Sequence, residues 1–163
     1  MKKVLSEDLI LYFSPLFPRR YGRGRGRLAL IGVGGNVGKV RKRFKKVALV
    51  LASHPRVKLV RSAPILKNPP FGYLDQPPFY NTLFLVRTTL PPRELLHFLL
   101  CLERRFGRVR TFKNAPRTLD LDIICYDRVK MDSESLRIPH PHWRERESVT
   151  IPLRYLGEVR CVL

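Results

Sequence analysis

The sequence predicts an α/β sandwich with an antiparallel sheet, and three observations carry that prediction. Runs of β-branched and aromatic residues alternate with two segments whose apolar residues recur at helical spacing, in the order strand, helix, strand, strand, helix, strand. Glycine and proline clusters stand at the joints between them. At 163 residues the chain is long enough to bury one core and fits one domain. The βαββαβ order is that of the ferredoxin-like fold, here with C-terminal additions. Composition divides the chain into a basic N-terminal extension, residues 1–27, and a single domain over residues 28–163.

In the extension, apolar residues around 9–17 give way to Arg19-Arg20-Tyr21-Gly22-Arg23-Gly24-Arg25-Gly26-Arg27, and alternating Gly and Arg builds no core. The run over 19–27 is either a basic arm making a weak contact with nucleic acid or an exposed, solubilising lead-in. Residues 28–33 read as a buried strand. The turn Gly34-Gly35-Asn36-Val37-Gly38 follows, then a helix with Val37, Val40, Phe44, Val47, Ala48 and Leu51 on its inner stripe. Neither phosphate-loop pattern fits the turn: G-x-G-x-x-G from Gly32 ends on Val37, and Lys39 is followed by Val40 rather than Ser or Thr.

A second strand is expected over 57–62, then a stiff, proline-rich surface loop through residue 78, a place where binding residues gather. The third strand, 79–86, sets Phe79, Asn81, Leu83 and Leu85 on one face. Asn81 needs a partner there, either loop backbone or the edge of a planar heterocycle packed by Phe71 and Phe79. Pro91-Pro92 opens the second helix, Leu95, Leu96, Leu99, Leu102 and Phe106 form its buried stripe, and Gly107 ends it.

Arg108, Arg110, Lys113 and Arg117 then lead into the last strand of the core. Over 119–125, Leu119, Leu121, Ile123 and Cys125 fall on one face and Asp120 and Asp122 on the other. Two carboxylates roughly 6–7 Å apart on one strand face repel each other. They are either a magnesium pair, since that ion takes one or two carboxylates and leaves its other positions to water and phosphate, or polar positions on a solvent-facing strand. The arginines upstream stand where charge on a transferring phosphoryl group is clamped. His140 and His142 follow a polar turn at 132–135; without a third ligand they are weak evidence for zinc. A short helix is expected from Trp143, adding Arg144 and Arg146 to the basic side.

Lys and Arg number 32 against 13 Asp and Glu, a formal charge of +19 that points to a polyanionic ligand or partner, nucleotide or nucleic acid. Cys101, Cys125 and Cys161 lack metal-ligand spacing; Cys101 and Cys125 sit in apolar runs and are expected as buried, inert thiols. No secretory pattern opens the chain and no apolar run approaches the roughly 18 residues of a membrane helix. The expectation is a soluble, cytoplasmic monomer with no membrane contact.

The run Arg117-Thr118-Leu119-Asp120-Leu121-Asp122 resembles the signature of the 6-hydroxymethyl-7,8-dihydropterin pyrophosphokinases. The resemblance extends over residues 28–156: Gly34-Gly35-Asn36 stands where that family has Gly-Ser-Asn, and Asp75-Gln76-Pro77, Asn81, Gly107-Arg108-Val109-Arg110 and Pro139-His140 match further landmarks in order. It implies transfer of diphosphate from ATP to the hydroxymethyl group of a reduced pterin, in folate biosynthesis, with two magnesium ions. By position, it makes Asp120 and Asp122 the metal ligands and puts Arg108 and Arg117 on the triphosphate. It turns Glu103, Arg110, His140 and Arg146 toward the nucleotide. Asn81 reads the pterin edge, and Asn68, Pro69, Phe71 and Phe79 enclose the ring. The chain departs from the family in a short segment at 111–115, in Asn68 for a Thr, in Pro141 for a Tyr and in Ser148 for a Phe. The rival reading is an RNA-binding protein without catalytic activity, resting on the charge and the Arg-Gly run. Paired carboxylates would repel its phosphates unless metal intervened.

Overall fold

The computed structural model describes residues 1–163. In chain order the elements are β1 (Lys2–Val4), β2 (Ile10–Tyr12), β3 (Arg19–Arg20), β4 (Arg27–Gly35), α1 (Val40–Ala52), β5 (Val57–Ser62), β6 (Ile65–Asn68) and β7 (Phe79–Thr88). They continue with α2 (Pro92–Arg105), β8 (Asp120–Tyr126), β9 (Met131–Asp132), β10 (Arg137–Ile138), a 3-10 turn at Trp143–Glu145 and α3 (Glu147–Leu153). β4 lies at the centre, antiparallel to β7 on one side and to β8 on the other, and β5 pairs with the far edge of β7. The order β8, β4, β7, β5 with every neighbour antiparallel is the expected ferredoxin-like core.

α1 and α2 cover one face. Val40, Phe44, Val47, Ala48 and Leu51 from α1, with Leu95, Leu99 and Leu102 from α2, pack on Ala29, Ile31, Val33, Phe84, Val86, Leu121 and Ile123. Each buried leucine contributes about 2 kcal/mol. Val37, expected in the α1 stripe, precedes the helix and is exposed. α2 begins at Pro92, carries Glu94 in its first turn and Arg104 and Arg105 in its last, which suits the helix dipole, and stops before Gly107 at φ +87°. On the opposite face, α3 and the C-terminal tail bring Val149 and Leu156 against Leu30, Leu83, Leu85, Ile124 and Cys125.

Three expectations are corrected here. The proline-rich loop does not begin at Pro64: residues 65–68 form β6, which pairs with the first half of β7 where β5 pairs with the second. Pro64 sits in the break between the two, the place in a sheet where its missing N–H costs no ladder bond.

The alternation in β8 does not run through to Cys125. Ile123 and Cys125 stand opposite the consecutive residues Ile31 and Leu30, so Ile124 is an extra residue, a bulge. Leu119, Leu121 and Ile123 face the helices as expected, but Cys125 turns to the other face and closes a disulfide with Cys161 of the tail, Cα to Cα 6.0 Å. Cys101, on α2 opposite the leucine stripe, is exposed. Neither is the buried free thiol the apolar context suggested.

Residues 1–27 join the sheet rather than standing apart from it. β2 pairs with β6, β1 with β2 and β3 with β5. Leu11 and Phe17 are fully buried, and Phe17 stacks on Phe84 with ring centroids 5.9 Å apart. The Gly-Arg run follows the sheet surface because Gly24 has no side chain: a Cβ there would come within 2.8 Å of the Arg87 Cβ. The glycine that cannot build a core lies flat against one. No helix is long and apolar enough to cross a membrane.

Candidate active site

The site forms on the sheet face away from α1 and α2, where β8, β4 and β7 lie side by side. Asp120 is opposite Gly34, which is opposite Asn81; one pleat along, Asp122 is opposite Gly32, which is opposite Leu83. The glycines keep the floor bare. A Cβ on Gly34 would stand 2.6 Å from Asn81 Oδ1. Asp120 and Asp122 thus share one face, beside the Asn81 carboxamide, as the alternation required.

Asp120 is held by two arginines from the segment after α2. Arg108 donates from Nη1 to Oδ1 at 2.6 Å, and Arg117 from Nη1 to Oδ2 at 3.4 Å. Beneath them lies Glu103, 2% exposed. Its Oε2 accepts the Leu121 N–H at 2.8 Å, and its Oε1 faces Arg108 at 3.3 Å and Arg110 at 3.4 Å. Burial pushes the Glu103 carboxyl up, while the Leu121 N–H and the Arg108 charge work the other way. Glu103 thereby fixes both β8 and the arginines; Arg110 leaves 66% of its side chain in solvent.

Asp122 has no such partner. Burial first, then the Asp120 charge, push it up to about 7, with Arg146 and Arg108 pulling it down. A half-neutralised pair of this kind suits a hard cation. No third Asp, Glu, His or Cys joins it, which fits magnesium completing its shell with water and phosphate and does not fit zinc. His140, just after the β9–β10 hairpin, sets its backbone N–H on the Ile124 carbonyl at 2.8 Å, near enough for the Asp120 charge to act on its ring but outside the pair. Burial, then Arg146 and His142, hold its ring down to about 4, so it is neutral near pH 7. His142 is exposed and turned to Glu145 at 3.2 Å.

Next to the carboxylates stand two aromatic rings and a pair of amides. Asn81 Nδ2 donates to Asn68 Oδ1 at 2.7 Å, so the partner of Asn81 in this structure is a side chain and not loop backbone. Pro69, following Asn68, accepts from its Nδ2 at 3.0 Å and starts the loop. The Arg117 guanidinium lies over the Phe79 ring, 5.1 Å from its centroid. Arg146, preceding α3, lies over Phe71 at 5.7 Å, and Phe71 is 73% exposed. Phe71, exposed and touched by one guanidinium, is an apolar ring on which a planar heterocycle packs.

Asn36 and Gln76, given no role of their own by the sequence reading, hold the parts together. Asn36 is buried; its Nδ2 donates to Gln76 Oε1 at 2.9 Å and to the Pro77 carbonyl at 3.0 Å, and its Oδ1 accepts the Arg117 N–H at 2.9 Å. Gln76 donates from Nε2 to the carbonyls of Tyr73 and Asn114. The glycine turn, the proline loop and the arginine segment are pinned at one point. An amide residue straight after Gly-Gly was the available signal.

The family profile described as 7,8-dihydro-6-hydroxymethylpterin-pyrophosphokinase matches residues 30–158. The chain is similar to the 2-amino-4-hydroxy-6-hydroxymethyldihydropteridine pyrophosphokinase of Helicobacter pylori, 40% identical over 155 residues that cover 94% of this chain and 92% of that one. The enzyme of the same name from Campylobacter jejuni is 40% identical over 141 residues, 86% of this chain and 89% of its own. That of Bacillus subtilis is 35% identical over 126 residues, 77% and 75%. The profile spans most of β4, every later strand and helix and the whole of the carboxylate and arginine cluster, and the chain belongs to the 7,8-dihydro-6-hydroxymethylpterin-pyrophosphokinase family.

Proposed function

We propose that this protein transfers the terminal diphosphate of ATP to the hydroxymethyl group of 6-hydroxymethyl-7,8-dihydropterin, releasing AMP, as a step in folate biosynthesis. The observation that carries this reading is the Asp120 and Asp122 pair, flanked by Arg108 and Arg117 and set on the sheet beside Asn81, with Phe79 under Arg117 and Phe71 under Arg146. The pterin hydroxyl oxygen bonds to the β-phosphorus, the bond from that phosphorus to the α-bridging oxygen breaks, and the hydroxyl proton leaves to solvent. No protein group need bond to the substrate.

Asp120 and Asp122 would hold magnesium, two ions in this reading, which when bound neutralises phosphate charge and orients the reacting oxygens. Arg108 and Arg117 occupy Asp120 in the free protein and turn to the incoming triphosphate, exchanging one charge-assisted pair for another. Arg110, already in solvent, extends that reach. Neutral His140 offers the nucleotide a hydrogen bond without a further charge. Asn81 and Asn68 read the pterin edge, while Phe79 under Arg117 and Phe71 under Arg146 enclose its faces. ATP as substrate supports a cytoplasmic setting.

The test is product identity. With ATP, magnesium and the pterin alcohol, AMP accumulates in step with pterin diphosphate, and leaving out pterin or magnesium stops it. ADP as the product, or AMP formed without pterin, would overturn the reading. Asp120→Ala and Asp122→Ala each lower turnover by at least about 100-fold, the scale of losing a main transition-state stabiliser.

A further inference from the structure

The site above leaves a basic groove at the other end of the same sheet face without a role. It is a depression of about 920 Å³ between the N-terminal segment and the C-terminal tail, lined by Arg19, Arg20, Arg23, Arg61, Arg87 and Arg160. A second depression of about 820 Å³ continues it past the tail, sharing Leu28, Arg87, Glu158 and Arg160. Leu28 stands opposite Arg87, and Gly34 opposite Asp120. Six residues of β4 therefore separate the groove from the carboxylates, roughly 20 Å.

The arrangement of charge is costly for a surface that binds nothing. Arg20 stands directly opposite Arg61 between β3 and β5, and Lys58 directly opposite Arg87 between β5 and β7. Arg61 is opposite Leu85, two residues from Arg87, so all four cations lie on one face. Like charges directly opposite destabilise a sheet. The ion pairs of the region are Arg27 with Asp127 and Arg160 with Glu158; Arg20, Arg23, Arg61 and Arg87 have none. Burial and the Arg20 charge depress the Arg61 guanidinium, while Glu158 in the groove lining works the other way without outweighing them. The groove is also firmly built. Arg61 donates to the carbonyls of Leu156 and Glu158, fastening the tail, and Arg87 donates to Gly26, fastening the Arg-Gly run. Docked in this way, the run presents Arg20 and Arg23 on a fixed rim rather than on a loose arm.

We propose that this groove is a second binding site, which takes single-stranded nucleic acid along its phosphate backbone. Uncompensated arginines spaced along a continuous trough match a linear chain of phosphates, and Tyr155, lining the trough and partly exposed, with the planar guanidinium groups gives bases a surface to stack on. The inference is independent of the diphosphate transfer, since it uses other residues and is read without ATP or pterin.

The test measures fluorescence anisotropy of a labelled oligouridylate of roughly a dozen nucleotides, a length one such site spans, over a range of salt. Arg20→Gln with Arg23→Gln weakens binding at least tenfold at low salt. The log–log salt dependence becomes shallower by about 1.4, two phosphate contacts on a single strand. Lys42→Gln with Lys45→Gln, on the exposed side of α1, removes the same charge from elsewhere and weakens binding less than threefold. Neither double variant lowers the melting temperature, and both keep the rate of AMP formation. Equal weakening by the two would overturn the proposal, because it would reduce binding to net charge. Displacement of the label by inorganic polyphosphate as readily as by unlabelled oligouridylate, at matched phosphate, would also overturn it, since the bases would then contribute nothing.

Discussion

Asp120 and Asp122 are two residues apart on one strand and chemically unlike. Arg108 and Arg117 neutralise Asp120, whereas burial and its neighbour's charge push Asp122 up to about 7. An acid whose folded value lies above its unfolded one binds its proton more tightly when folded. Asp122 is therefore no burden below about pH 4, a growing one toward pH 7 and a full one above it. Asp122→Asn should stabilise the metal-free protein at pH 8 by about 2 kcal/mol, allowing for solvent at a half-buried group, and change nothing at pH 4. Urea midpoints at the two pH values decide it, and an unchanged midpoint at pH 8 would show that Asp122 carries no electrostatic burden. The pair was legible from the alternation in residues 119–123. Its asymmetry was not, because Arg108 reaches back from the segment after α2 and Arg146 comes from a different element.

At the scale of elements, the site is a set of loops fastened to a sheet, and Asn36 is the fastening. Asn36→Ala leaves the Arg117 N–H and the Gln76 Oε1 without a partner, at a cost of about 2 kcal/mol. It also loosens the proline loop from the arginine segment, which the Gln76 bond to the Asn114 carbonyl then holds alone, so kcat/KM should fall by about 30-fold, the scale of lost positioning, with KM for the pterin rising. Steady-state kinetics on both substrates check this; an unchanged KM for pterin would mean the loop is held elsewhere. Glu103 fastens the other side. Glu103→Ala strands the Leu121 N–H and takes a carboxylate from Arg108, and should lower the melting temperature sharply, whereas Glu103→Gln keeps the Leu121 bond and loses less. If the two variants melt together, the Leu121 bond is not what Glu103 supplies. Both helices and the core strands could be read from periodicity because each has a face to bury. The bulge in β8 could not, since Ile123, Ile124, Cys125 and Tyr126 are all apolar and only the register against β4 shows where the extra residue falls.

For the whole molecule, composition was the weakest guide. It set residues 1–27 apart because Arg and Gly dominate their second half, yet Leu11 packs with Leu66 and Ile151, and Phe17 with Phe84. Those partners lie far along the chain, where no local window sees them. The segment also closes an edge: without β2 and β3, β6 and β5 would present open ladders, with Ile65 and Leu66 among their apolar residues. Removing residues 1–18 should therefore cost more than the burial of two large side chains, about 5 kcal/mol together, and leave a protein that self-associates through that edge. Phe17→Ala alone should cost about 3–5 kcal/mol without association, because the ladder remains. Thermal melts and sedimentation of the two variants separate packing from edge protection. Turnover at low temperature should survive in Phe17→Ala, since the carboxylates stand on β8 at the opposite edge of the core. A truncated chain that melts like the full one would return residues 1–27 to the role of a solvated lead-in.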